Sequence, residues 1–425
     1  MADAGVVFPT GQRWDAAVLL GVGAFLLVAR LPLAIPLIGV LSAGVLVLQG
    51  LVPRRGFGLG TVFFGVSLAA SAAATLRAPS TLVGGYFSWA VCFALLAAAA
   101  WFSGSVERNL RMLLGGIYAG LWFHFIVSMA ELVTGVKILV LRDPRAASVP
   151  VMLDDPWVVS SLFVNYNDYS VAMVIFVNLL LARLLFGIGR QARWRSIVQG
   201  VAAATAGVLV VVIGSRGALV ALVGTVALEL LVVVRFRHPE RITSRHLWAL
   251  LAAGGGVLLV AWNTPYFQSH STEWRGMIVT YIVALMLANP LTLLTGFGSA
   301  EAFANVGKIA YPGELLNPHN FLLEVAMAFG VPALVVLVAW LATVVIEGVV
   351  RQRIPMSADG TAALVTAVGL LGYGSVPSSY LDYGYLFFFL VAGSSALYLG
   401  RRAGIDGASV SLANAAARPA PAPAS

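Results

Sequence analysis

The sequence predicts an all-α, polytopic membrane protein of about twelve transmembrane helices, in one membrane domain over residues 1–400. Three observations carry that reading. Sixty per cent of the 425 residues are hydrophobic and only 10% are charged, against about 45–50% and about 25% in a soluble domain. The hydrophobic residues come in long unbroken runs rich in Leu, Val and Ala, near the roughly 20 residues a helix needs to cross hydrocarbon. The basic residues cluster in alternate connectors, as membrane topology requires. This composition excludes a soluble enzyme, a disordered chain and a nucleic-acid binder. The single cysteine, Cys92, lies in an apolar run and excludes a disulfide framework.

In chain order, the predicted spans are 14–30, 32–52, 58–76, 82–102, 111–133, 167–186, 197–213, 217–234, 247–263, 319–349, 361–377 and 380–400. Short turns at Arg30–Pro32 and Gly214–Arg216 divide two of the longer runs. Transmembrane strands would alternate in short segments, which these runs do not. No cleavable signal peptide is expected, because the first apolar run leads into further spans. With the N-terminus cytoplasmic, the outer side holds Arg30, Arg77, Lys137, Arg142, Arg145, Arg216, Arg275 and Lys308. Every other basic residue falls in a cytoplasmic segment, save Arg183 near the inner end of a span. Two long loops, about 134–166 and 264–318, then lie outside. Residues 401–425, ending in an Ala- and Pro-rich stretch, are expected to form a disordered cytoplasmic tail.

Long loops usually carry function, so the chemistry is expected at the outer face. In the second loop, Thr272–Glu273–Trp274–Arg275 opens an apolar segment that stops at Asn289–Pro290. It is too short to cross the bilayer, and it predicts an interfacial helix anchored by Trp274 and Tyr281. Asn317–Pro318–His319–Asn320 reads as a helix start, with Asn317 as cap and Pro318 in the first turn. His319 would then sit at the positive end of a helix dipole, which disfavours imidazolium. A neutral imidazole there suits a general base; a histidine that merely hydrogen-bonds at the interface fits its position equally well. Ser215 can cap the helix after Gly214, which places Arg216 in a first turn, where free N–H groups and a guanidinium together attract phosphate oxygens. The bland alternative is an Arg snorkelling at a span end. Arg275 is a second Arg in a first turn on the outer side.

His124, Ser128 and Glu131 share one face of the fifth span, as a proton relay or, better, an interhelical hydrogen-bonded contact. Asn165–Tyr166–Asn167–Asp168 opens the sixth span, capping it or lining a sugar or cation site. No cluster has metal-ligand spacing, and no cofactor is expected.

Several of these motifs, in order, resemble the O-antigen ligase and polymerase superfamily of bacterial envelope enzymes. They are Asn165–Tyr166–Asn167; Gly214–Ser215–Arg216–Gly217–Ala218–Leu219; Arg275 followed by Asn289–Pro290 and Gly296–Phe297–Gly298; and Pro318–His319–Asn320–Phe321–Leu322 with Gly330–Val331 downstream. The resemblance covers roughly 160–340 and does not separate ligase from polymerase. It implies a metal-independent glycosyltransferase at the outer face of the bacterial cytoplasmic (inner) membrane. The donor would be a glycan on undecaprenyl diphosphate, and the acceptor a sugar hydroxyl on the lipid A core or on a second lipid-linked glycan. By motif match, Arg216 and Arg275 would hold the diphosphate and His319 would act as base, with Ser215, Asn320, Asn165, Asn167 and Asp168 in support. The rival class is a proton-coupled transporter or lipid-linked glycan flippase using His124 and Glu131. Such a protein would be expected to show internal repeats with broken helices, and no convincing repeat relates the two halves.

Reporter fusions should place 235–246 and 349–360 in the cytoplasm and 264–318 outside. A cytoplasmic signal from 264–318 would put His319 on the wrong side of the membrane and end the reading of an outer-face enzyme.

Overall fold

A computed structural model describes residues 16–138, 159–238, 270–299, 320–376 and 384–416, apart from short gaps, and isolated positions between 243 and 249. Among the described residues the chain is helical, with no strand. The first half holds α1 (Ala17–Val28), α2 (Ala34–Gln49), α3 (Gly58–Arg77), α4 (Tyr86–Phe102), α5 (Val106–Thr134) and α6 (Tyr166–Gly187). The second holds α7 (Arg193–Ile213), α8 (Arg216–Arg237), α9 (His270–Ala288), α10 (Pro290–Thr295), α11 (Phe321–Thr343), α12 (Ala358–Tyr373) and α13 (Tyr385–Ala416). A π-helical stretch, Val344–Val350, continues α11.

Among the described residues, six helices are long and apolar enough to cross a membrane: α3, α5, α6, α7, α8 and α11 with its π-helical continuation. The chain is therefore a multi-pass membrane protein. The shorter apolar helices α1, α2, α4 and α12 fall on predicted spans. The predicted ninth span, 247–263, lies outside the described residues. One expectation is corrected. The long span after residue 319 is interrupted at Gly330, where φ is 78° and ψ 170°. The last helix, α13, runs through Arg401 and Arg402 to Ala416.

The helices form because a bilayer offers backbone amides no water, so each segment must satisfy its own. Their ends show how the surplus groups are met. Ser105 and Ser357 cap α5 and α12 through their hydroxyls. At the predicted cytoplasmic ends, arginines serve the last carbonyls. Arg54 donates to Trp101 and Ser103 carbonyls at 2.8 and 3.3 Å, at the end of α4. Arg237 donates to Leu185 at 3.0 Å, near the end of α6. Arg235 donates to Val350 at 2.6 Å, where the π-helical stretch ends.

Packing relies on small residues at crossings, as membrane helices require. At the α1–α5 crossing a Cβ on Gly116 would lie 2.0 Å from the Gly21 carbonyl oxygen, and one on Gly120 would meet Val28 at 2.7 Å. Elsewhere large rings fill the core. Phe57 stacks between Trp101 and Tyr398 at 5.0 and 4.6 Å, and Phe93 stacks on Phe387 at 4.1 Å.

Gly116→Ala should force α1 and α5 apart and destabilise the protein by about 1–3 kcal/mol, the usual cost of overpacking. Gly115→Ala, next door with open space around it, should be neutral. Thermal unfolding in detergent compares the two; equal midpoints would show that the crossing does not depend on the missing Cβ.

Candidate functional site

The first part of the site is the start of α8. Gly214 ends α7 in the left-handed region (φ 74°), Ser215 is extended, and α8 begins with Arg216. Ser215 occupies the cap position as predicted, but its hydroxyl bonds no helix amide and is buried. The expected side-chain cap is therefore corrected to a cap in backbone position only. Arg216 is exposed at the helix N-terminus. Gly217 faces Val376 just beyond α12, where a Cβ would come 2.7 Å from the Val376 side chain.

The second part is the start of α11. Its cap is Asn320, whose Oδ1 accepts from the Leu322 and Leu323 amides at 3.0 and 3.2 Å. The sequence predicted Asn317 as cap and a start at Pro318. The helix begins three residues later, because Asn320 is already extended (φ −149°) and its side chain reaches two of the free amides. His319 thus precedes the cap in the chain and is not a first-turn residue of α11. His319 itself, with Asn317 and Pro318, lies outside the described residues. The Phe321 amide donates to the Gly374 carbonyl at 3.0 Å, at the end of α12.

The stretch Gly374–Val376 therefore seats two helix N-termini, those of α8 and α11. Each contributes the positive end of a helix dipole. Arg216 and Asn320 are brought to the same end of the bundle by residues that the sequence reading treated only as the end of a span.

The loop segment between α8 and α11 is held against the same bundle. Ile278, Ile282 and Met286 of α9 pack on Ala326 and Met327 of α11. Arg275 lies near the start of α9, with its side chain outside the described residues. Asn289 ends α9 and caps α10, accepting from Leu291 and Thr292 amides at 3.0 and 3.4 Å. Gly296 and Gly298 then turn the chain at φ 70° and 84°. The Phe297 amide donates to Met327 O at 2.7 Å, and Tyr86 N donates to Gly298 O at 3.0 Å.

The Met327 carbonyl accepts this bond because α11 is broken at Gly330. Pro332 lacks the amide the helix would need, and only glycine fits at 330, since a Cβ there would lie 2.2 Å from the Leu294 carbonyl oxygen. Arg77, expected only as an outer-face charge, donates to Thr295 Oγ1 and to Gly296 O at 3.2 Å. No sequence signal paired it with that turn.

The third part is the start of α6. Asn165 caps it, with Oδ1 accepting from Asn167 N at 2.8 Å and its carbonyl accepting from Asp168 and Tyr169 amides. Asn167 is half-buried, and Asp168 is buried. The approach to α6 is fixed by α5. His124 Nε2 lies 2.6 Å from Val28 O, and Nδ1 lies 2.9 Å from Ser161 Oγ. The carbonyl can only accept, so Nε2 carries a proton. Glu131 accepts from Ile138 N and Ser161 N, each at 2.9 Å. The His124–Glu131 stripe thus ties backbone to backbone, as the interhelical-contact reading predicts. Arg30 stands nearby, its guanidinium carbon 5.3 Å from the centre of the Phe163 ring. Sequence reasoning did not associate Arg30 or Phe163 with this corner.

No curated protein matches the chain. Residues 158–338, from just before α6 to well into α11, match the family described as O-antigen ligase, which supports an O-antigen ligase-like assignment.

Proposed function

We propose that the chain is a glycosyltransferase of the outer face of the bacterial cytoplasmic membrane. It transfers a glycan from undecaprenyl diphosphate to an acceptor sugar hydroxyl in envelope polysaccharide assembly, as an O-antigen ligase does. The observation that carries this reading is the seating of two helix N-termini on the end of α12, through Gly217 against Val376 and Phe321 N to Gly374 O. A diphosphate is the ligand such an arrangement favours.

In this reading Arg216 and Arg275 hold the diphosphate, and their charge stabilises it as it leaves, without a metal ion. His319 takes the proton from the acceptor hydroxyl. The hydroxyl oxygen then bonds to the anomeric carbon as the bond from that carbon to the diphosphate oxygen breaks. Undecaprenyl diphosphate is released. Asn320 and Asn165 act by fixing helix starts, Ser215 and Gly214 by setting the turn before Arg216, and Asn167 and Asp168 by lining the neighbouring corner. The shorter helices and residues 247–263 complete about twelve crossings, α9 lies in the outer interface, and the end of α13 projects into the cytoplasm. The acceptor is a lipid A-core sugar or, in a polymerase, a second lipid-linked glycan; both use the same site. The flippase or transporter reading loses support because His124 and Glu131 already bond to backbone groups.

The test is transfer by purified protein from a lipid diphosphate-linked glycan, without metal or nucleotide sugar. His319→Ala should slow transfer by about 10²–10⁴-fold, the usual worth of general-base help, while donor binding persists. A His319→Ala variant with normal expression and near wild-type turnover would remove the base assignment.

Arg216→Lys keeps the charge but loses the planar fork, so turnover should fall substantially. Arg216→Ala and Arg275→Ala should weaken donor binding. Wild-type donor binding in both alanine variants would reduce these residues to interfacial snorkellers.

A further inference from the structure

Two polar side chains stand inside the helix bundle with nothing to bond. Glu229 of α8 is 0% exposed, and neither carboxylate oxygen has a hydrogen-bond partner. Asn178 of α6 is also 0% exposed, with neither amide atom bonded. Buried polar groups are rarely left so, and an ionisable residue inside a membrane domain is costly unless it serves a ligand or a relay.

Packing puts the two at one level. α8 and α6 run parallel and touch, and Arg237 of α8 reaches the Leu185 carbonyl of α6 at 3.0 Å. Counting back eight residues along each helix from that bond brings Glu229 level with Val177, within one residue, about 1.5 Å, of Asn178. The buried stripe of α8 includes Ala218, Ala221, Thr225, Glu229 and Val232. It faces α12, since a Cβ on Gly372 would lie 3.7 Å from Ala221.

Asn178 points the same way. At about 100° per residue it lies opposite Tyr169 and Phe176 on α6. Phe176 packs on Trp122 and Phe125 of α5, at 5.1 and 5.5 Å between ring centres. Asn178 therefore faces away from α5, towards the side lined by α7, α8 and α12. Thr361 of α12 lies on the same stripe as Gly372 and about one turn deeper than Glu229. Its hydroxyl is likewise buried without a partner.

We propose that Glu229, Asn178 and Thr361 form an intramembrane site for a monovalent cation of sodium's class, between α6, α8 and α12. The donors are a carboxylate, an amide carbonyl and a hydroxyl. Oxygen donors select a hard cation. One carboxylate is neutralised by one positive charge, whereas a divalent ion would leave a surplus charge in the membrane. The site lies about 20 Å along α8 from Arg216, at about 1.5 Å per residue. It is separate from the candidate diphosphate site and stands on the packing alone, whatever reaction the chain performs. A bound cation would hold α6, α8 and α12 together near the start of α12.

The experiment is thermal unfolding of the full-length protein in detergent, in sodium chloride against choline chloride at equal ionic strength. The midpoint should rise with sodium and saturate in the wild type. In Glu229→Gln the rise should be lost. Asn178→Leu should raise the half-saturating sodium concentration by about tenfold, the equivalent of one lost ligand of about 1.4 kcal/mol. Should Glu229→Gln fold poorly, infrared difference spectra of the wild type supply a second readout, with sodium shifting a carboxylate band. Equal midpoints in the two salts overturn the proposal, as does a sodium effect that survives in Glu229→Gln. A protonated carboxyl band from Glu229 that persists at saturating sodium overturns it too, and shows a proton held there instead.

Discussion

The hydrogen bond from Phe321 N to Gly374 O, 3.0 Å long, is the contact on which the end of the bundle where α8 and α11 begin is organised. A helix begins with four amides that have no partner within it. In α11 the Asn320 side chain meets two of them and the Gly374 carbonyl a third. That bond fixes the start of α11 against the end of α12. Two residues beyond Gly374, Val376 occupies the space left open by Gly217 at the start of α8. One short stretch thus sets the position of two positive helix ends, and Arg216 comes with the second of them.

The break at Gly330 makes a matching anchor on the other side. An uninterrupted α11 would use the Met327 carbonyl within the helix. The break releases it to the Phe297 amide, and Arg77 grips the same turn from α3. The segment from α9 through Gly298 is therefore clamped between α3 and α11. A helix interruption in a membrane is tolerated only where other protein groups satisfy the freed backbone, and here the freed carbonyl holds a loop. The residues of the family match thus include parts whose work is architectural, Gly330 and Asn320 among them, beside those proposed for chemistry.

At the opposite end, arginines that the sequence reading expects in the cytoplasm close the helices. Arg54, Arg235 and Arg237 donate to carbonyls at or near helix ends. Glu347 receives both Arg351 and Arg353, at 2.7 and 3.1 Å. The topological signal and the C-terminal capping signal are carried by the same side chains.

The order and type of most elements were legible from residues 14 to 400, because hydrophobic run length and basic asymmetry are local properties that the bilayer enforces. The turn at Gly214, the helix that ends at Ala288 and the asparagine at the head of α6 were legible for the same reason. Asn, Gly and Pro act on their immediate neighbours.

What the sequence could not settle depended on partners far along the chain. Asn317 was expected to cap α11, and the cap at Asn320 instead accompanies the bond from Phe321 N to Gly374 O. Gly330 could sit in a straight helix or a broken one until the Leu294 carbonyl filled the space where a side chain would go. Arg77, Val376 and the level pairing of Glu229 with Asn178 carry no local mark at all. Local chemistry determined where helices form. Only tertiary structure decided which free amide meets which carbonyl, because a hydrogen bond requires two groups within about 3 Å, and sequence separation says nothing of that distance.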